Sequence, residues 1–116
     1  MSFRANKPTL YQVCKSGNSH LAKRMINKGT NDLNEGLYGA CQGGYKELTK
    51  LIIDKGVSNL NKGLYGACRG GHRELVELMI GKGADDWNGG LFSPCMGGYK
   101  NIVELMIIKG ADDLNG

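Results

Sequence analysis

Hydrophobic and polar positions recur along this chain at a fixed step of 27 residues, without an insertion or a deletion. The clearest positions hold a leucine, a cysteine and a lysine–glycine pair in every unit. They are Leu10, Leu37, Leu64 and Leu91, then Cys14, Cys41, Cys68 and Cys95, then Lys28, Lys55, Lys82 and Lys109, each lysine being followed by glycine. A constant period of this size predicts a repeat architecture, in which each unit buries its apolar face against its neighbours.

Each repeat predicts a pair of antiparallel helices, as residues 61–87 illustrate. In Arg73–Lys82 the apolar residues fall on one wide helical face, and the lysine–glycine pair ends the helix. The preceding segment Gly63–Arg69 is shorter and small-sided, with Asn61 as the expected N-cap. Gly70 and Gly71 then turn the chain. The sequence therefore predicts an all-α protein.

The chain is expected to form one domain over residues 1–116. The repeats run approximately over 7–33, 34–60, 61–87 and 88–114, the first being an N-terminal cap repeat, and residues 115–116 start a truncated fifth unit. Only about five residues separate Gly83, which ends the second helix of its repeat, from Asn88, where the next repeat begins. We expect a tight loop there, without paired strands in residues 57–61 or 84–88, so the fold should contain little or no β structure.

Charge is modest overall but uneven. The formal net charge is +4, yet residues 1–31 carry six basic groups and no acidic one. This asymmetry either favours head-to-tail contacts or an acidic partner at the N-terminal end, or it only keeps a capping repeat soluble.

The cysteines fit neither a disulfide nor a zinc site. Equivalent positions on neighbouring helices lie about 10 Å apart, whereas a disulfide needs Cα atoms within about 7 Å. Cys-x-x-Cys and Cys/His clusters are absent from the sequence. We expect small, buried, reduced thiols and no metal or other cofactor. With a polar N-terminal stretch and no apolar run of about 18 residues, the sequence favours a cytoplasmic protein without a membrane segment.

Residues 64–85 resemble the ankyrin repeat. The specific matches are Gly71-His72 and Gly83-Ala84-Asp85, with the apolar run between them, and the similarity extends over all four units. Ankyrin units are about 33 residues long, so the 27-residue step lacks the segment that carries the β-hairpin finger in the family. The resemblance implies a right-handed, ankyrin-like α-solenoid of stacked helix pairs. A host cytoplasm is a further possible location, because such arrays are common in large DNA viruses and intracellular bacteria.

The resemblance also implies a non-enzymatic protein–protein interaction scaffold. Without fingers, binding should move to the exposed side of the first helices, which we call the first-helix face. Positions that vary between repeats need not serve the common packing, and an aromatic row lies beside them. The predicted partner-binding residues are Gln12, Lys15, Glu35, Tyr38, Gln42, Lys62, Tyr65, Arg69, Phe92 and Met96. The aromatic row is equally open to interpretation as packing between repeats.

Other functions have less support in the sequence. No recurring Ser/His/Asp or Cys/His set suggests an enzyme or a small-molecule substrate, and His72 fills a slot that is structural in ankyrins. An RNA-binding role is less favoured, because the later repeats are charge-balanced. Self-assembly is the stronger alternative, since Ile108 replaces Asn27, Asp54 and Gly81 and leaves an apolar, uncapped C-terminal end. The partner is therefore expected to be a protein, with weak end-to-end self-association possible in addition.

Overall fold

The computed structural model describes residues 7–30, 32–90 and 99–110, and all regular secondary structure in these ranges is helical. The helices are α1 (Leu10–Lys15), α2 (Ser19–Asn27), α3 (Leu33–Gly43), α4 (Lys46–Asp54), α5 (Leu60–Gly70), α6 (Arg73–Lys82) and α7 (Lys100–Lys109). Residues 87–90 are helical as well. The prediction of an all-α protein is confirmed for these residues. No strand occurs in residues 57–61 or 84–88, as expected.

The first helices α3 and α5 are longer than the sequence predicted. Helix α5 starts at Leu60 and not at Gly63, and its N-cap is Asn59, whose side chain accepts from the Asn61 backbone N–H. The prediction of Asn61 as the N-cap was wrong because Asn61 lies within the first turn and bonds to the next loop. Helix α3 has the same length as α5, 11 residues, and begins at the equivalent Leu33.

The helices form two layers. The first helices lie side by side in the order α1, α3, α5, and α2, α4 and α6 each pack on the first helix of their own repeat. Neighbouring second helices contact each other far less than neighbouring first helices do. The first helices therefore form the more closely packed of the two layers.

Glycines at two positions set the close spacing of the first helices. A Cβ on Gly39 would overlap the Tyr11 carbonyl oxygen, and a Cβ on Gly66 would overlap the equivalent Tyr38 oxygen. Gly43 and Gly70, one turn later, approach the preceding helix in the same way. We expected the position of Gly39 and Gly66 not to serve the common packing, and that expectation was wrong. In the two described junctions α1–α3 and α3–α5, this variable position is a packing contact.

The core runs along the seam between the layers. The repeated leucines and cysteines of the first helices are fully buried in the described repeats, as are Ile52, Met79, Ile102 and Met106 of the second helices. Cys14, Cys41 and Cys68 are free thiols, and burial raises their pKa to about 11, 12 and 12. The interpretation of these cysteines as small buried apolar residues is confirmed, and their thiols are held protonated at neutral pH.

We expect Gly66→Ala to lower the free energy of unfolding by about 1–3 kcal/mol, because the new methyl group must displace the backbone of α3. Alanine is otherwise the better helix former. The matched control is Gly81→Ala in α6, where an added Cβ meets nothing within 4 Å. This control should gain up to about 1 kcal/mol. Urea unfolding measures both changes, and a stabilised Gly66→Ala variant would show that the close contact does not hold the first helices together.

Candidate functional site

The first-helix face is organised around a row of partly exposed tyrosines, one per described repeat. Tyr11 and Tyr38 stack with their ring centroids 5.5 Å apart and an interplanar angle of 22°. Because the glycines bring α1 and α3 together, these rings meet across the junction between two repeats. Offset stacking of this kind adds to the apolar contact between the helices.

The hydroxyls of Tyr11 and Tyr38 are each hydrogen-bonded to the next repeat. Tyr11 donates to Gln42 Oε1 at 2.6 Å, and Arg69 Nη1 donates to the Tyr38 hydroxyl at 3.2 Å. The two partners occupy the same repeat position, 31 residues after their tyrosine. The variable position chosen from the sequence therefore supplies the bond that fixes the preceding ring.

Lysines and one glutamate complete this part of the surface. Lys15 Nζ lies 5.8 Å from the centroid of the Tyr11 ring, and Lys62 Nζ lies 5.3 Å from that of Tyr38. Lys62 also pairs with Glu35, with 2.9 Å between Nζ and Oε2. This pair is solvent-exposed and contributes little to stability, but it orients the ammonium group over the ring.

Tyr65 has different surroundings. Its hydroxyl donates a hydrogen bond to Asp86 Oδ2, and Asp86 Oδ1 accepts from the Gly89 backbone N–H. The hydrogen bond to Asp86 is the main cause that raises the pKa of Tyr65 to about 12. Desolvation and the charges of Asp86 and Asp85 add to the shift. The neutral phenol is thus the form that the fold stabilises.

The structure brings together most of the residues predicted from the sequence. Lys15, Glu35, Tyr38, Gln42, Lys62 and Arg69 join Tyr11 in one connected group. Gln12 lies apart, because its side chain caps α1 by accepting from the Thr9 backbone N–H at 2.9 Å. The predicted residues Phe92 and Met96 lie outside the described residues. The aromatic row packs between repeats and remains partly exposed, so packing and binding do not exclude one another.

Two further sets of contacts between repeats were missed. Asn61 Oδ1 accepts from the backbone N–H groups of Asp85 and Asp86, and Asn34 Oδ1 accepts from that of Asn59. Each asparagine thus holds the loop before the next first helix. The signal was present in the sequence, since asparagine recurs at 34, 61 and 88.

The second set joins an aromatic ring to a turn glycine of the preceding repeat. The His72 ring covers Gly44, the Tyr45 ring covers Gly17 and the Tyr99 ring covers Gly71. The three glycines have positive φ angles, of 84°, 82° and 76°, which favour glycine on their own account. His72 Nε2 also donates to the Gln42 carbonyl oxygen at 3.0 Å. The prediction of a structural role for His72 is confirmed.

Two comparisons with known proteins found no match for this chain. No protein-family model matches the sequence, and no curated protein sequence matches it. The ankyrin resemblance therefore rests on the motif residues alone.

Within the described residues, no group of three His, Cys, Asp or Glu side chains is placed to hold a metal ion. No helix there is both long enough and apolar enough to cross a bilayer.

We expect Asp86→Asn to lower the pKa of Tyr65 from about 12 towards the ordinary tyrosine value of about 10. The hydrogen bond of the neutral phenol to Asp86 contributes its full stabilisation below the pKa that Tyr65 has in the unfolded state. This contribution is lost as the pH rises through the pKa in the folded state. The measurement is the tyrosinate absorbance as a function of pH. Subtracting the curve of a Tyr65→Phe variant leaves the titration of Tyr65 alone. Asp85→Asn is the control and should have a smaller effect, and an unchanged titration in Asp86→Asn would contradict the assignment.

Proposed function

We propose that this protein is a non-enzymatic scaffold that binds a partner protein on its first-helix face. The observation that carries the proposal is the connected group of Tyr11, Tyr38, Gln42 and Arg69. Tyrosine and arginine are favoured at the centres of protein interfaces. Here hydrogen bonds and stacking already hold their side chains before any partner arrives. Less side-chain entropy is then lost on binding.

We infer an ankyrin-like, right-handed α-solenoid as the framework, with repeats of 27 residues and no finger. The support is the repeated pairing of helices and the shared positions of the contact glycines, asparagines and rings. An array of this kind presents an extended surface that suits a protein better than a small substrate. The buried, protonated thiols suit a reducing compartment such as the cytoplasm.

Binding of the partner should be lost when side chains of the first-helix face are substituted, and retained when side chains of the second helices are substituted. The test uses the protein as bait in extracts of its native host, with Arg69→Ala and Lys15→Ala as variants of the face. Lys50→Ala and Lys23→Ala are matched controls, because both lysines are exposed on second helices and line the groove between α2 and α4. Thermal unfolding checks that all four variants remain folded.

Retention of the specific partner should fall by about fivefold or more in Arg69→Ala, the loss expected at an interface hot spot. The two control variants should retain the partner as well as the unmodified protein does. A partner that is lost only from the control variants would place binding on the second helices, and the proposal would be wrong.

A second candidate function is self-association through α7. Ile108 is 79% exposed and Ile107 is 40% exposed, whereas Ile26, at the repeat position of Ile107, is 8% exposed. A head-to-tail contact in the register of the repeats is disfavoured. Helix α1 presents Gln12 and Ser16 at the repeat positions of Gly39 and Gly43, on which an added Cβ would overlap the backbone of the preceding helix. Contact between the α7 surfaces of two copies avoids this obstruction.

If α7 joins two copies, Ile108→Asn should convert the associated form to a monomer. Asparagine is the residue that the first repeat carries at this position, and burial of each large apolar side chain supplies about 1.5–3 kcal/mol. Light scattering over a concentration series measures the effect. Met25→Leu is the control, because it keeps volume and apolar character in α2. An unmodified protein that stays monomeric at high concentration would eliminate this candidate.

A further inference from the structure

The tyrosine row carries a cation on two of its three described rings. Lys15 lies over Tyr11, and Lys62 lies over Tyr38 with the Glu35 carboxylate beside it. The two lysines reach their rings differently, one from the same helix and one from the next repeat. The surface itself thus shows that an ammonium group fits over a ring of this row, with a carboxylate as its counter-ion.

Tyr65 has neither kind of cation. Arg69, which corresponds to Lys15, turns away and bonds to the Tyr38 hydroxyl. Gly89, which corresponds to Lys62, has no side chain. In the described part of the chain, no ammonium or guanidinium group lies over the Tyr65 ring and no second ring stacks on it. The ring is nevertheless partly exposed.

The charge near Tyr65 is negative. Asp86 bonds to the tyrosine hydroxyl, and Asp85 is close enough to act on its pKa. No basic side chain of the described residues forms an ion pair with either aspartate. Lys62 belongs to the same helix as Tyr65, but its charge is balanced by Glu35 at 2.9 Å. At the repeat position of Asp86, Asn59 is uncharged, and Asp32 is acidic but bonds to no ring hydroxyl among the described residues, because the Tyr11 hydroxyl bonds to Gln42 and that of Tyr38 to Arg69.

We propose that the Tyr65 ring and the Asp86 carboxylate form a subsite for a lysine side chain of the partner protein. This inference rests on the proposed scaffold function and names the chemistry of one anchor. The ammonium group would lie over the ring as Lys62 does over Tyr38, with Asp86 in the role of Glu35. A cation over a tyrosine face is attracted by the ring quadrupole, and a nearby carboxylate strengthens the attraction.

The test is an NMR titration of the folded protein with N-acetyl-lysine methylamide. N-acetyl-norleucine methylamide is the matched control probe, because it has a similar aliphatic stem but no charge. The lysine probe should shift the Tyr65 ring and Gly89 amide resonances in a concentration-dependent way, and the norleucine probe should not. Equal shifts with both probes, or no shift with lysine, would overturn the proposal.

Two variants of Gly89 sharpen the result. Gly89→Lys places a lysine at the position from which Lys62 covers Tyr38, and should weaken lysine binding by about 2- to 5-fold or more. Gly89→Ala introduces the same Cβ next to the Asp86 carboxylate without a charge, and should bind the probe better than Gly89→Lys does. If Gly89→Lys does not fold, Asp86→Asn decides in its place, with the same weakening expected. Undiminished binding in the folded variant contradicts the subsite.

The experiments distinguish a failure of the lysine subsite from a failure of the scaffold proposal. Partner retention that depends on Arg69, without a lysine-specific shift at Tyr65, would leave the scaffold and eliminate the subsite. A lysine-specific shift with no partner dependent on Arg69 or Lys15 would leave the subsite and count against the scaffold.

Discussion

The close backbone contact between successive first helices is the constraint on which the rest of the structure depends. It requires Gly39 and Gly66 to lie against the carbonyl oxygens of Tyr11 and Tyr38, where no Cβ fits. At this spacing the leucines and cysteines of the first helices fill one continuous buried seam. The same spacing brings Tyr11 and Tyr38 each within hydrogen-bonding distance of a residue 31 positions later, so the packing of the helices sets the geometry of this exposed surface.

Three kinds of contact join neighbouring repeats along the first helices and the turns that follow them. Glycines set the distance between the helices, and asparagines such as Asn61 hold the following loop. Rings such as His72 cover the turn glycine of the preceding repeat. The second helices, in contrast, are separated by grooves, one of which is lined by Lys23 and Leu51. Side chains already held by such contacts lose less entropy on binding, which is why we propose the first-helix face as the partner surface.

The tyrosine row is not uniform, and the proposed lysine subsite rests on its differences. Tyr38 has bonds and contacts to its own chain on several sides, whereas Tyr65 faces an acidic group and a glycine. A repeat array can thus keep one backbone while changing single side chains to alter what each unit presents. The identical spacing of the repeats makes such differences easy to recognise, because every unit serves as a reference for the others.

The sequence by itself determined the period, the helix pairs, their turn glycines and the burial of the leucines and cysteines. These properties follow from local periodicity and from glycine at fixed positions, so they require no knowledge of the neighbouring repeat. It also identified most of the exposed cluster, because several positions that vary between repeats, such as those of Gln42, Arg69 and Lys62, lie on the first-helix face. Only the tertiary structure decided which variable positions touch another helix. Gly39 and Gln12 share one position, yet the first lies against α1 and the second caps its own helix. Likewise, the bonds of Tyr38 and Tyr65 depend on side chains that lie more than 20 residues away. Their meeting is set by the distance between helices, which no local pattern contains.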